Sequence, residues 1–352
     1  MNESVKRCHS VWAGMLGIVW AVSVIGCGPQ PADRFGPTEA QPVWPEPPEQ
    51  ARIMYLGQIA TETDLQKGKS GLQGLGELVF GKGDVGVLVS PYAVVVDSTG
   101  MMFVADPGGG VVHMFNLRTR DYHQFSQLSA GKTLQKPVAL ALGAERLYVV
   151  DSGLREVCVF EKDGTFLSAF GGEHLKRPSG AACWEAGSIL YVADAAAHVI
   201  HVYGLDGTLL GQLGGRGLNV GQFNFPTHLW VDGAGQLYVS DTLNYRIQVF
   251  TSEGVSVRVF GRQGDRPGNF AHPCAVATDS RGNIYVTDRQ FENVQVFDPE
   301  GQILMALGQE GRGPGQFWLP AGIFVDIRDR IYVADSFNKR IQIFALLEDE
   351  AR

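Results

Sequence analysis

Residues 237–250, LYVSDTLNYRIQVF, decide the fold. An alternating apolar strand runs to Asp241, a turn of a few residues follows, and a second alternating strand closes on an aromatic. The same grammar recurs as MFVADPGGGVVHMF from Met101, LYVVDSGLREVCVF from Leu147, LYVADAAAHVIHVY from Leu190, IYVTDRQFENVQVF from Ile284 and IYVADSFNKRIQIF from Ile331. The aspartates are Asp106, Asp151, Asp194, Asp241, Asp288 and Asp335, at steps of 45, 43, 47, 47 and 47 residues. A repeat of that length is one supersecondary unit, and six copies make an array.

Each copy extends further on both sides. Upstream stands a proline followed by a short apolar strand: Pro91, Pro137, Pro178, Pro226, Pro273 and Pro320, each 14 to 16 residues before its aspartate. Downstream, Asp163-Gly164, Asp206-Gly207, Glu253-Gly254 and Glu300-Gly301 supply the positive φ of tight hairpins, and a fourth strand follows. Four antiparallel strands per repeat cannot bury both faces alone, so neighbours must stack and the array must be capped or closed. The last copy ends at Phe344 one strand short, while Ile53–Ile59 precedes the first copy as an orphan strand similar to FLSAFG, LLGQLG and ILMALG of the middle repeats. Pairing the orphan with the last blade seals a ring and removes two sheet edges. The expectation is an all-β, six-bladed β-propeller over 52–346 closed by an N-terminal strand, with a charged tail at 347–352.

The spacing from Pro226 through Asp232, Tyr238, Asp241, Asn244 and Arg246 to Phe250, with the linker 261–270, resembles the NHL repeat. Copies four, five and six carry the likeness best; copies one to three lack the Asn-x-Arg element. The resemblance implies an interaction scaffold, since enzymes are a minority among such propellers.

Residues 1–26 read as an export signal: Lys6 and Arg7 form a basic start, Val11 to Ile25 is an apolar run of 15 residues, and Gly26 precedes Cys27. That run is short of the about 20 residues a spanning helix needs. Val24-Ile25-Gly26-Cys27 resembles the lipobox of bacterial lipoproteins, which implies cleavage before Cys27 and its acylation. Gly28, where the enteric sorting rule would place Asp for inner-membrane retention, implies the outer membrane. Residues 27–51 are rich in proline and read as an extended tether.

The formal net charge is −8, and without 1–26 it becomes −9. A nucleic-acid binder normally presents a basic footprint, so that class is excluded. Of five cysteines only Cys158, Cys183 and Cys274 remain in the head, with no CxxC spacing, which leaves no disulfide framework, zinc site or covalent haem. The glycine-rich linkers 214–217 and 311–315 lack the Lys-Ser/Thr ending of a phosphate-binding loop and read as crossings between blades. The six aspartates, repeated in every blade, read as turn caps, with Arg246 and Arg340 pairing across their hairpins.

Departures from the repeat are more informative. The topology puts the linkers between blades and the hairpins between strands 2 and 3 on one face, where the residues around each proline are expected to ring the channel mouth. There stand Tyr92, Arg177, His228, His272 and Cys274, and on the hairpin tips Tyr245, Phe291 and Phe337, with Arg216, Arg262, Arg266 and Arg312 in the linkers. Aromatics with arginine have the composition of protein-binding hot spots; packing of the tips on adjacent linkers is the alternative. His228 and His272, with Cys274, have donor types that suit a divalent metal. Amidating lyases with an NHL-like propeller hold a metal with channel histidines, but here a third equivalent histidine is missing, and the alternative is a pair of backbone-bonded imidazoles. No other cofactor is implied. Residues 60–90, the longest excursion, are expected to lie over the mouth as a lid or to form a loose loop.

The reading that follows is a lipid-anchored envelope protein with a monomeric head, reaching the membrane only through its anchor. Its expected role is non-enzymatic binding of an envelope protein, a peptide or a glycan; the alternative is a metal-dependent lyase or hydrolase at the channel mouth.

Overall fold

Each repeat becomes one antiparallel sheet, and the sheets stand around an axis as six blades. The computed structural model describes residues 35–36, 41–65, 86–129 and 131–347, all within the compact unit Asp33–Arg352. From the axis outward, blade 4 runs Pro226–Val231, Leu237–Asp241, Arg246–Phe250 and Ser256–Phe260. Blade 1 runs Ala93–Val96, Met101–Asp106, Val111–Asn116 and Tyr122–Phe125, and blades 2, 3 and 5 repeat the order. Second strands such as Leu237–Asp241 are buried at every residue because a neighbouring blade covers each face, which is why they read as continuous apolar runs. The outermost strand Ser256–Phe260 alternates between half-buried and exposed residues.

Blade 6 closes the ring as the orphan strand requires. Pro320–Val325, Arg330–Asp335 and Arg340–Leu346 come from the end of the chain, and Ile53–Ile59 adds antiparallel to the third of these. Met54 faces Ala345, Tyr55 faces Phe344 and Ile59 faces Ile341, with a bulge at Leu56. A second seal joins blades 6 and 1 at the axis, where the Ser336 hydroxyl donates to Pro91 O and the Gly322 N–H to Tyr92 O. At Gly322 a Cβ would meet Tyr92 O at 2.6 Å, and at Gly180 it would meet Thr227 O at 2.7 Å. Glycine two residues after the proline therefore lets innermost strands of adjacent blades approach closely.

The tether stops earlier than the proline content suggests. Val43–Trp44 pairs with Met54 and Ile53 as a fifth strand of blade 6, and the Trp44 ring packs edge-on to Phe344 at 5.8 Å. Phe35 is buried on the other side of blade 6, at its junction with blade 1. The apolar contribution of these two rings offsets an ordering entropy that the surrounding prolines have already reduced. Residues 41–51 are thus part of the propeller, and residues 1–26, read as a signal, and Cys27 lie outside the described residues. Among the described residues no helix is long and apolar enough to cross a membrane.

The long excursion is fixed at its neck. Thr61 bridges Val87, the Leu88 N–H donates to Ala60 O, and the Asp64 carboxylate accepts the N–H groups of Ala60 and Thr61. Leu65 and Leu88 pack between blades 6 and 1, beside Tyr122 of the outermost strand. The neck therefore leaves from the outer rim and not from the axis. Of the residues 60–90 expected to form a lid or a loose loop, 66–85 lie outside those described.

Candidate functional site

The six repeat aspartates are structural. Each is fully buried, and each ties the linker entering its blade to its own hairpin. Asp288 accepts the N–H groups of Ala271, His272, Gln290 and Phe291. Asp335 accepts Trp318 N–H, Asn338 Nδ2, Arg340 Nε and Gln342 Nε2, all at 2.8 to 3.0 Å. Arg246 and Arg340 donate further to linker carbonyls, including Gln222 O and Gln316 O, and Arg340 also donates to Gln58 Oε1 of the closing strand. The third-strand glutamines Gln248 and Gln342 bind the same linkers. In blades 1 and 3 that position holds His113 and His201. Burial alone would raise the Asp106 carboxyl, but His113 and the Val89 and Gly109 N–H groups outweigh it and hold it below the usual range. None of these carboxylates is left for chemistry.

The channel is shaped differently from the expectation. Its hollow, about 530 Å³, is lined by the walls of the innermost strands, among them Ala93, Leu140, Ala182 and Leu229, and by His228. Its exposed lining, Ser98 and Ala144, belongs to the turns between strands 1 and 2. A second hollow of about 530 Å³ lies among the corresponding turns of blades 4, 5 and 6, beyond Trp230 and Phe324, whose rings meet edge-on at 5.5 Å. The concavities thus open on the turn face. The linker end, expected to be the mouth, is narrowed by Tyr92, whose ring packs on the cluster of blades 2 and 3 and whose hydroxyl lies against the Cys274 thiol of blade 5. Repeat spacing does not reveal this, because the large residue follows the proline in one blade only, while the others carry Val138, Ser179, Thr227, Cys274 and Ala321.

His228 faces the hollow rather than the linker end. Its Nδ1 accepts the Val276 N–H at 3.3 Å, so the neutral ring carries its proton on Nε2. That leaves a donor, not a lone pair, for anything in the hollow. The ring touches the cavity but sits deep in the protein, and burial lowers its pKa to about 4. The unfolded chain takes up this proton near pH 6.5 and the folded chain resists it until about 4, so stability is lost as pH falls through that window. Relative to His228→Gln, the wild type is expected to lose about 3 kcal/mol more unfolding free energy between pH 7.5 and pH 4, measured by urea titration.

The remaining candidates separate into groups. His272 sits at the linker end with its Nδ1 buried and without a hydrogen-bond partner. His228 and His272 therefore do not converge. Among the described residues no group of three His, Cys, Asp or Glu side chains could hold a metal ion. The thiols are poor ligands as they stand: burial pushes Cys158 and Cys183 up to about 12 and raises Cys274. Tyr245 caps the short turn Thr242–Asn244 in a left-handed conformation and packs against the core between blades 4 and 5, as the packing alternative anticipated. Phe291 is half-buried. Phe337 is 55% exposed and lies tilted against the half-buried Trp318 at 4.7 Å, while the Arg312 guanidinium lies over the Trp318 ring at 5.0 Å. Arg177 lies over Phe225 at 5.4 Å.

Sequence reasoning misses two residues of this face. Trp318 stands two before its proline, where the other blades have Val89, Gln135, Lys176, Asn224 and Ala271. Arg289 directly follows its aspartate, where the others have Pro107, Ser152, Ala195, Thr242 and Ser336. Comparing the repeats one position further along would have exposed both.

These features define a six-bladed β-propeller whose repeated polar groups are consumed by the scaffold. A family model described as a 6-bladed beta-propeller, DUF5128, matches residues 276–349, within blades 5 and 6. No curated protein matches the sequence. Among solved structures, a Bacteroides thetaiotaomicron protein is 16% identical over 74% of this chain and 70% of its own, with a TM-score of 0.58. Virginiamycin B lyase from Staphylococcus aureus is 14% identical over 74% of this chain and 96% of its own, with a TM-score of 0.54. Kuenenia stuttgartiensis hydrazine synthase is 13% identical over 77% and 98%, with a TM-score of 0.55. Likeness at such identities carries the fold alone.

Proposed function

We propose that this chain is an exported, lipid-anchored NHL-type propeller that binds an envelope protein, a peptide or a glycan through its linker face without catalysis. The observation that carries the reading is the Arg312, Trp318 and Phe337 group, in which exposed Phe337 lies against a half-buried Trp318 whose ring is roofed by a guanidinium, on the face where the linkers and hairpins meet. Leu218, Val220 and Leu243, on the linker and hairpin of blade 4 two blades away, are also exposed on this face. Such a composition favours binding, and hot-spot side chains of this kind contribute roughly 2 kcal/mol or more each. Against an enzyme stand the saturated aspartates, the protonated thiols and the His228 tautomer.

The test is capture of a partner from envelope extracts by the full chain, followed by its direct titration. Trp318→Ala with Phe337→Ala is expected to weaken that partner at least thirtyfold, while His228→Gln leaves it unchanged. A partner held equally by both variants would overturn the reading. Anchoring is tested separately: Cys27→Ser is expected to abolish incorporation of a labelled fatty acid, and retained label would refute acylation at Cys27.

The second reading, a lyase or hydrolase, is favoured by one feature, the drug-sized hollow with His228 in its wall. It would use the Nε2–H of His228 as a hydrogen-bond donor to the substrate. The donors present do not fit a His228 and His272 metal pair, so no metal step is assigned.

A further inference from the structure

Around the six buried capping aspartates, the side chains that ring the linker end of the channel are cationic in a chain that is acidic overall. The six residues preceding the blade prolines include Lys136, Arg177 and His272, and the six following the capping aspartates include Arg289. None of the twelve is Asp or Glu, although the chain carries 37 acidic against 29 basic residues. Backbone bonds hold the two sets together at the start of the innermost strands: Ser152 N–H to Lys136 O, Ala195 N–H to Arg177 O and Arg289 N–H to His272 O. The cations therefore share one end of the axis.

Their side chains are unspent. Arg246 and Arg340 each donate four or more hydrogen bonds, to a carboxylate, to linker oxygens and, for Arg340, to Gln58 Oε1. The guanidiniums of Arg177 and Arg289 and the ammonium of Lys136 make no hydrogen bond or ion pair with any described residue. Arg177 is instead held over the Phe225 ring, and Phe225 is itself fixed by its N–H bond to His198 Nδ1 at 3.2 Å. Both guanidiniums, one from blade 3 and one from blade 5, are close enough to the Tyr92 hydroxyl for their charge to act on it. Proximity to Cys274, and then burial, keeps that hydroxyl protonated against them, so it remains a donor. The result is two planar cations beside one phenol O–H, with Lys136 at the same end of the axis, while the neighbouring carboxylates of Asp194 and Asp288 are taken up by backbone N–H groups.

We propose that this end of the channel is an oxyanion site, in which Arg177 and Arg289 grip a carboxylate or phosphate group of the ligand, Lys136 adds charge from the rim, and Tyr92 donates from the floor. Guanidinium forks match both groups bidentately. The inference rests on the linker face being the binding face, and it adds the chemistry the ligand must carry.

The full chain is titrated calorimetrically with inorganic phosphate and, separately, with succinate at low salt. Saturable binding of at least one probe is expected, weakened at least tenfold by Arg177→Gln with Arg289→Gln and unaffected by Lys162→Gln at the opposite end of the channel. Phosphate alone points to a phosphorylated ligand, succinate alone to a carboxylate. Added chloride is expected to weaken either. The variants' unfolding midpoints are measured in parallel, and anion-induced stabilisation is expected in the wild type but not in the double variant. Binding of neither probe, or equal binding to the folded double variant, would overturn the site. Loss of anion binding with partner capture intact would remove this inference alone. Loss of the Trp318 and Phe337 effect with anion binding intact would remove the partner reading and leave the site standing.

Discussion

A chain lacking residues 41–59 is expected to lose cooperative unfolding altogether rather than to melt a few degrees lower. Ile53, Leu56 and Ile59 are at most 5% exposed, and each is worth about 1.5–3 kcal/mol of burial. The rings of Trp44 and Tyr55 also leave Phe344, and the Gln58 carboxamide leaves the Arg340 guanidinium. The sum reaches the roughly 5–15 kcal/mol that separates a native domain from its unfolded ensemble. Deletion would also bare the third strand of blade 6 as an edge, a template for aggregation. Circular dichroism during heating, with size-exclusion chromatography, checks the expectation. A peptide spanning 41–61 added in trans is expected to restore a soluble monomer. A truncated monomer that unfolds cooperatively near the wild-type temperature would show that closure lies elsewhere.

Asp335→Ala is expected to cost about 3–5 kcal/mol, because it strands the buried Arg340 charge together with the donors on Trp318, Asn338 and Gln342. Arg340 is only 5% exposed, so water cannot take the carboxylate's place. Replacing both partners, Asp335→Ala with Arg340→Met, is expected to recover part of the loss, since the stranded charge disappears with its counterion. Urea unfolding of the two singles and the double gives the coupling directly. A loss below 1 kcal/mol for Asp335→Ala would contradict the view that these aspartates hold the linkers to the hairpins.

Much of this is legible in the sequence because it repeats. Six copies of one grammar give the strand order, the capping role of each aspartate and the missing strand that Ile53–Ile59 supplies. Unrepeated features escape. Trp44 and Phe35 dock on blade 6 from within a segment whose prolines suggest a free tether. The face on which the channel opens depends on one side chain, Tyr92, standing where other blades carry smaller residues. His228 breaks the pattern and does line the channel, but the hydrogen bond that fixes its tautomer comes from the next blade, 48 residues away. His272 and Cys274 belong to the linker end, and spacing alone cannot tell the two ends apart.

The ring underlies both the partner face and the oxyanion site, since only closure brings blades 1, 3 and 5 around one axis. It is tested most directly by a cysteine pair across the closing strands. Met54 of the orphan strand faces Ala345 of the last strand, and paired residues in adjacent strands lie within disulfide reach. Met54→Cys with Ala345→Cys is expected to oxidise to an intramolecular disulfide, seen by mass spectrometry of the unreduced digest, and to raise the unfolding temperature. The displaced pair, Met54→Cys with Ile341→Cys, is expected to stay reduced. A disulfide in the displaced pair, or in neither, would contradict the closed ring.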